Sequence, residues 1–171
     1  MYTGKYDFQS VNVIKIILQN REGKILLIQE PENNIWMPLH WGLPGGKPTE
    51  TESLQETLER KIKTDIGQVV DVVGLFRVEE LLTKGKTVFM YIVIAKCKSS
   101  QVNGEAKSYR WVSREDIKKM KTEEFTEFYN KKLLMEYFRN PEKALPFNLL
   151  NTLEYYKMNS NLKYQKWLKS R

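Results

Sequence analysis

At 171 residues, with 41% hydrophobic and 29% charged side chains, the chain has the length of one domain and enough apolar material for a core. Its apolar runs, such as Val88 to Ala95, fall far short of the ~20 residues a membrane-spanning helix needs, the first ten residues lack the apolar stretch of a secretory leader, and a lone Cys97 excludes an intrachain disulfide framework. A reducing, cytoplasmic setting is therefore expected, and the net charge of +7 (pI about 9.3) points to anionic partners.

In chain order, Val11 to Asn20 is β-branched and reads as a strand. Gly23 turns it into a second strand, Ile25 to Glu30, forming a hairpin. A loop rich in turn residues and aromatics follows (PENNIWMPLHW), then GLPGGKP, whose glycines and prolines argue against regular structure. From Thr51 the pattern becomes helical, with Thr49 or Thr51 as the cap and Leu54, Leu58 and Ile62 as the apolar stripe. Gly67 stops the helix. Two longer strands, Val69 to Leu81 and Thr87 to Cys97, are joined by a turn around Lys84-Gly85. A short strand, SYRWVS, leads into a helix capped by Ser113 with Asp116 as an acidic capping-box partner.

This order gives an α/β (α+β) class: a mixed sheet sandwiched by helices. After Lys121 the segments FTEFYNKKLLMEYF and, beyond Pro146, LPFNLLNTLEYYKMNSNLKYQKWLKSR read as helical throughout. The expected division is a domain over residues 1–122 and a helical extension over 123–171 packed on it. From Pro141 onward Lys143, Lys157, Lys163, Lys166, Lys169 and Arg171 stand against Glu142 and Glu154. Tyr155, Tyr156, Tyr164 and Trp167 interleave with these lysines. That mixture suits an amphipathic docking helix first and single-stranded nucleic acid second. A lid over a substrate loop and a homodimer contact are the other uses of such an extension.

The chemistry concentrates in the stretch WGLPGGKPTETESLQETLERKIKTDIG, Trp41 to Gly67. Gly45 and Gly46 precede a helix, where free N–H groups and small residues favour anions, although a tight strand-to-helix turn uses glycines equally well. Five residues separate Gly46 from Glu52, seven separate Glu52 from Arg60, and Gly67 follows at the end of the helix. This spacing resembles the Nudix box of the Nudix hydrolase superfamily: Gly, five residues, Glu, seven residues, Arg-Glu-apolar, one residue, Glu-Glu, one residue, Gly, apolar. The preceding WGLPGGK and the later GEAKSYRWVSREDI strengthen the resemblance, which covers roughly residues 8 to 122.

The resemblance implies the Nudix fold, a metal-assisted attack of water on the diphosphate linkage of a nucleoside-diphosphate derivative, Mg²⁺ or Mn²⁺ as cofactor, and an ion pair between Glu52 and Arg60 that locks loop to helix. This sequence departs from the pattern where the metal ligands belong. Lys61 stands for the first glutamate after the arginine and Thr64 for the next. Asp65 stands for the last, and Gln68 replaces the closing apolar residue. The box is degenerate: its structural members Glu52, Arg60 and Gly67 are kept, and most of its acids are lost.

Two rescues suggest themselves. Acids elsewhere can supply ligands; Glu105, at the opening of the last strand region, is the candidate that joins Asp65 as a catalytic and metal-holding residue, with Glu56, Glu59, Glu79 and Glu80 as exposed alternatives. Alternatively Lys61 offers a fixed ammonium in the metal's place. Trp41, Gly45, Gly46 and Lys61 are the expected substrate-binding residues, Trp41 also being placed to pack under the loop. Trp36 can stack on a base. His40, the sole histidine, suits a structural loop role better than a ligand role. Three functions compete: a Nudix hydrolase of a phosphorylated small molecule, a silent Nudix domain that binds such a ligand as a sensor or regulatory module, and a nucleic-acid-associated protein using the basic tail.

Overall fold

The structure, a computed structural model, describes residues 9–146 with the exception of 84 and 107. Seven strands form one mixed sheet. They are β1 (Gln9–Gln19), β2 (Ile25–Gln29), β3 (Trp41–Gly42), β4 (Gly45–Gly46), β5 (Val70–Thr83), β6 (Lys86–Cys97) and β7 (Tyr109–Val112). The order along the sheet is β3-β2-β1-β6-β5, with β4 pairing on β1 and β7 on β2. The β1–β2 and β5–β6 hairpins are antiparallel, while β1 and β6 run parallel through the middle.

The central strands are apolar on both sides because both faces of the sheet are covered. Alternate residues divide between two cores. Val13, Ile17, Met90, Ile92 and Ile94 face α2 (Arg114–Lys119) and α3 (Asn130–Tyr137), where Ile117, Leu133, Leu134 and Tyr137 meet them. Ile14, Ile16, Leu18, Val93 and Ala95 face α1 (Leu54–Lys61) through Leu58, with Ile66 just beyond it. Lys15 shares its strand face with Val13 and Ile17, so the α2/α3 side holds a cation among apolar neighbours. Glu127 answers it at 2.7 Å.

Three sequence expectations need correction. Helix α1 is capped by Ser53, not by Thr49 or Thr51: Ser53 Oγ accepts the Glu56 N–H (3.1 Å) and Glu56 Oε2 accepts the Ser53 N–H (2.7 Å). This reciprocal box satisfies two free donors at once, which neither threonine does. The glycine loop is not wholly irregular, since Gly45 and Gly46 pair with Lys15 and Ile14 of β1. The stretch from Phe125 is helical only from Asn130; before it lie a 3₁₀ turn (Thr122–Glu124) and an extended passage. There Phe125 is buried beside Trp41, and Thr126 donates its N–H to the Trp41 carbonyl (2.9 Å). Burying Phe125 against the sheet outweighs the helical turn its spacing suggested.

The expected Ser113–Asp116 capping box of α2 is present. Residues 130–137 pack into the same core as β1 and β6. The basic tail with Tyr155, Tyr156, Tyr164 and Trp167, and the Lys84 part of the β5–β6 turn, lie outside the described residues. Among the described residues no helix is long and apolar enough to cross a membrane.

Candidate functional site

The site is built where the glycine loop, the end of α1 and the β6–β7 connection converge. Leu58 and Ile66 anchor the α1 region against β1 and β6. After Lys61 the helix widens into a π turn, Ile62–Ile66, closed by the Gly67 N–H on the Ile62 carbonyl (2.8 Å). Such insertions are frequent at functional sites. In this one, the Thr64 and Ile66 carbonyls accept the N–H groups of Glu105 (2.6 Å) and Asn103 (3.0 Å).

Two glycines make that crossing possible. Gly67 has φ +67°, and a Cβ on it would lie 2.4 Å from Asn103 backbone. A Cβ on Gly104 would lie 2.4 Å from Asp65 backbone. The close backbone contact brings the Glu105 backbone next to that of Thr64 and Asp65.

The start of the box is braced. Arg60 Nε and Nη2 donate to the two Glu52 carboxylate oxygens at 2.6 and 2.8 Å, and Nη2 also reaches the Lys47 carbonyl (3.0 Å). The Thr49 N–H adds a further bond to Glu52 (3.0 Å). The Arg60 hydrogen bonds, followed by the Thr49 amide, pull the Glu52 carboxyl down to about 2, and the Glu52 carboxylate holds Arg60 above its ordinary value. The loop-to-helix lock implied for Glu52 and Arg60 is thus formed.

The end of the box differs. Lys61 Nζ lies 3.0 Å from Asp65 Oδ1, an i, i+4 pair whose side chains are only 21% and 12% exposed. Thr64 Oγ1 donates to the same oxygen (3.0 Å), and the Gly45 N–H donates to Asp65 Oδ2 (3.1 Å). Three of the roughly four acceptor positions of a carboxylate are filled. Glu56 serves the helix cap, Glu59 accepts from Gln55 (3.2 Å), and Glu79 is paired with Arg77 (2.8 Å), so three of the four alternative acids are engaged elsewhere.

Gly45, Lys61, Asp65 and Glu105 line one cavity of about 910 Å³. The sequence reading missed the rest of its wall. Glu30, Glu32, Leu39 and Ser108 belong to it. Glu30 accepts from Asn34 (2.8 Å), and Asn34 in turn caps the N–H groups of Trp36 and Met37. This ties down the stem of the 31–40 loop and leaves Trp36 83% exposed at its tip. An Asn two residues before an aromatic in a turn-rich loop is the signal that could have revealed this stem.

Trp41 is not among the cavity residues. It packs against the α2/α3 core, and the Arg110 guanidinium covers its ring at 4.2 Å, which is the packing placement. Gly46 lies behind Lys61 rather than on the cavity wall. The His40 Nδ1–H donates to the Pro38 carbonyl (2.7 Å), a loop-holding role.

The mixed sheet with this loop–helix box is the architecture of a known domain family, as the comparisons show. The model of the family described as NUDIX domain matches residues 10–133, and the chain belongs to that family. The chain is 28% identical to nucleoside triphosphatase NudI of Klebsiella pneumoniae (strain 342), over 60% of this chain and 81% of that protein. To NudI of Escherichia coli O139:H28 (strain E24377A / ETEC) it is 25% identical, over 59% and 80%. Among solved structures, a MutT protein from Methanosarcina mazei Go1 superposes with a TM-score of 0.65 at 23% identity, covering 78% of this chain and 96% of that one. A NUDIX hydrolase from Nitrosomonas europaea gives 0.67 at 13%, covering 85% and 98%. At these identities the two structures attest the fold alone.

Nudix hydrolases generally use divalent metals. A magnesium or manganese ion needs several converging oxygen ligands. Here Asp65 is already neutralised by Lys61, and among the described residues no three Asp, Glu, His or Cys side chains come together to hold an ion. The residues present do not fit the family's cation.

Proposed function

We propose that this chain is a Nudix domain that binds a nucleoside di- or triphosphate, or a related diphosphate-linked small molecule, as a sensor or regulatory module without metal-assisted turnover. The observation that carries this reading is the engagement of Asp65, the last acid of the box, by Lys61, Thr64 and Gly45. The cavity is of the size small-molecule sites take, and Gly45 of the braced glycine loop lines it. The single cysteine fits a cytoplasmic setting. Residues 123–171 are read as an extension of the domain.

A second reading, a hydrolase in which Asp65 and Glu105 act with Mg²⁺ or Mn²⁺ arriving with the substrate, is favoured by one fact: both acids line the cavity. The NudI relatives, named as nucleoside triphosphatases, lean the same way.

The test is a panel of nucleoside triphosphates, ADP-ribose, sugar nucleotides and dinucleoside polyphosphates, assayed with Mg²⁺, with Mn²⁺ and with chelator. The binding reading expects no metal-dependent turnover and a rise in Tm with at least one compound. Turnover that vanishes in Asp65→Asn establishes the hydrolase instead.

A further inference from the structure

We infer that Lys61 takes the place of this fold's divalent cation, so that the cavity holds the diphosphate of its ligand without metal; the inference deepens the binding reading above and rests on it. The substitution at position 61 turns an expected carboxylate into an ammonium, a change of two charge units at the site. The structure shows where that charge goes. The ideal Cβ position of Gly46 is 2.5 Å from Lys61 Cε and 3.4 Å from Nζ, so the lysine chain lies directly against the glycine loop and any larger residue would displace it. Asp65 then fixes the arrangement from both sides, accepting Lys61 Nζ on Oδ1 and the Gly45 N–H on Oδ2.

An ammonium carries three donors. One is on Asp65, and among the described residues no other acceptor takes the remaining two. Lys61 is also a cavity residue, so those donors are available to phosphate oxygens. A lysine held by a neighbouring carboxylate binds phosphate as a point charge, losing little side-chain freedom on binding because its position is already set.

The same cavity is lined by Glu30, Glu32 and Glu105, besides the Asp65 that pairs with Lys61. These carboxylates disfavour a second anionic group and accept N–H donors. A ligand that suits both signs brings phosphate oxygens to Lys61 and N–H donors to the carboxylates, which describes a nucleoside diphosphate better than free pyrophosphate. The lining acids also offer the competing account, in which they recruit Mg²⁺ together with the nucleotide; the two accounts part company in chelator.

The experiment is calorimetric titration of ADP into the full chain, in EDTA and in Mg²⁺. The inference expects affinity in EDTA within about threefold of that in Mg²⁺. Lys61→Met, which also leaves Asp65 without its cation and lowers Tm, is expected to lose tenfold or more of the EDTA affinity at a temperature below the onset of its cooperative melt, and Lys61→Arg, which keeps the charge, to lose less. Binding seen only with Mg²⁺ overturns the inference and leaves the ligand-binding reading standing. An unchanged EDTA affinity in Lys61→Met also overturns it. Absence of ADP binding in both conditions overturns the inference, and absence of any ligand in the broader panel overturns the reading beneath it.

Discussion

At its start, the box is an ion pair between loop and helix: Glu52 and Arg60, doubly bonded and backed by the Thr49 amide. At its end, one turn of helix later, it is an ion pair within the helix: Lys61 and Asp65, closed around Gly45. The first pair shapes the loop and leaves the cavity to others. The second occupies the cavity wall and uses up the carboxylate that a cation would need. Shape and chemistry are separable within one helix, because the bonds that set the loop's path involve different side chains from those that meet the ligand. A fold match therefore carries the first half of the box to this chain and not the second.

The largest expected effect comes from a third ion pair, remote from the box, against which the other two are scaled. Lys15→Met leaves Glu127 in an apolar setting without its cation and is expected to cost about 3 kcal/mol by chemical denaturation. Burial pushes the Glu127 carboxyl up, but Lys15 and the Thr126 and Asn130 hydrogen bonds more than offset this and hold it below 4.5. A carboxyl lowered by folding adds stability above its unfolded value, and that contribution fades as pH falls through the folded one. With Lys15 gone, burial dominates and the sign reverses: the penalty grows as pH rises above about 4.5. Denaturation curves of both forms between acid and neutral pH check this.

Gly104→Ala attacks the end of the box and spares its start. Its Cβ would meet Asp65 backbone at 2.4 Å, and relieving that overlap is expected to cost ~1–3 kcal/mol and to weaken ligand binding, with the Glu52–Arg60 pair intact. Glu52→Gln does the reverse, lowering Tm and loosening the loop while Lys61 and Asp65 stay paired. Because the Glu52 carboxyl is drawn down to about 2, the brace contributes fully above the ordinary value near 4.5 and is lost only as pH approaches 2. An NMR titration of the Glu52 carboxyl carbon should place its midpoint there. The smallest effect on stability is expected from Gly46→Ala, since its Cβ meets the end of the Lys61 side chain, which can shift, and no backbone. Tm should barely move, yet nucleotide affinity should fall as the ammonium is displaced.

Much of this was legible in the sequence. The β-branched run from Val11 and the order of strands and helices announced the mixed sheet, and the Gly46, Glu52, Arg60 spacing announced the box. The cap of α1 was legible too, in Ser53 and Glu56, but the acid-rich threonines just before it drew the boundary early. Other features were beyond a linear reading. Lys15 in an apolar strand looks like an outward charge until Glu127 arrives from the far end of the chain. Phe125, Phe128 and Tyr129 have helical spacing, yet the core takes Phe125 in an extended segment and leaves Phe128 exposed. Glu105 was reachable only as a guess, because its position depends on two glycine backbones crossing. The departures at Lys61, Thr64 and Asp65 were plain in sequence; that Lys61 folds onto Asp65 rather than out to solvent required the structure.

The most direct test of the central claim, that the box holds its own cation and no longer a metal centre, is a Mn²⁺ titration of the full chain followed by electron paramagnetic resonance. The account predicts that free Mn²⁺ signal persists through the micromolar range, with Lys61→Glu combined with Thr64→Glu creating a site that removes it. Stoichiometric capture of Mn²⁺ by the unaltered chain, abolished in Asp65→Asn, would contradict it.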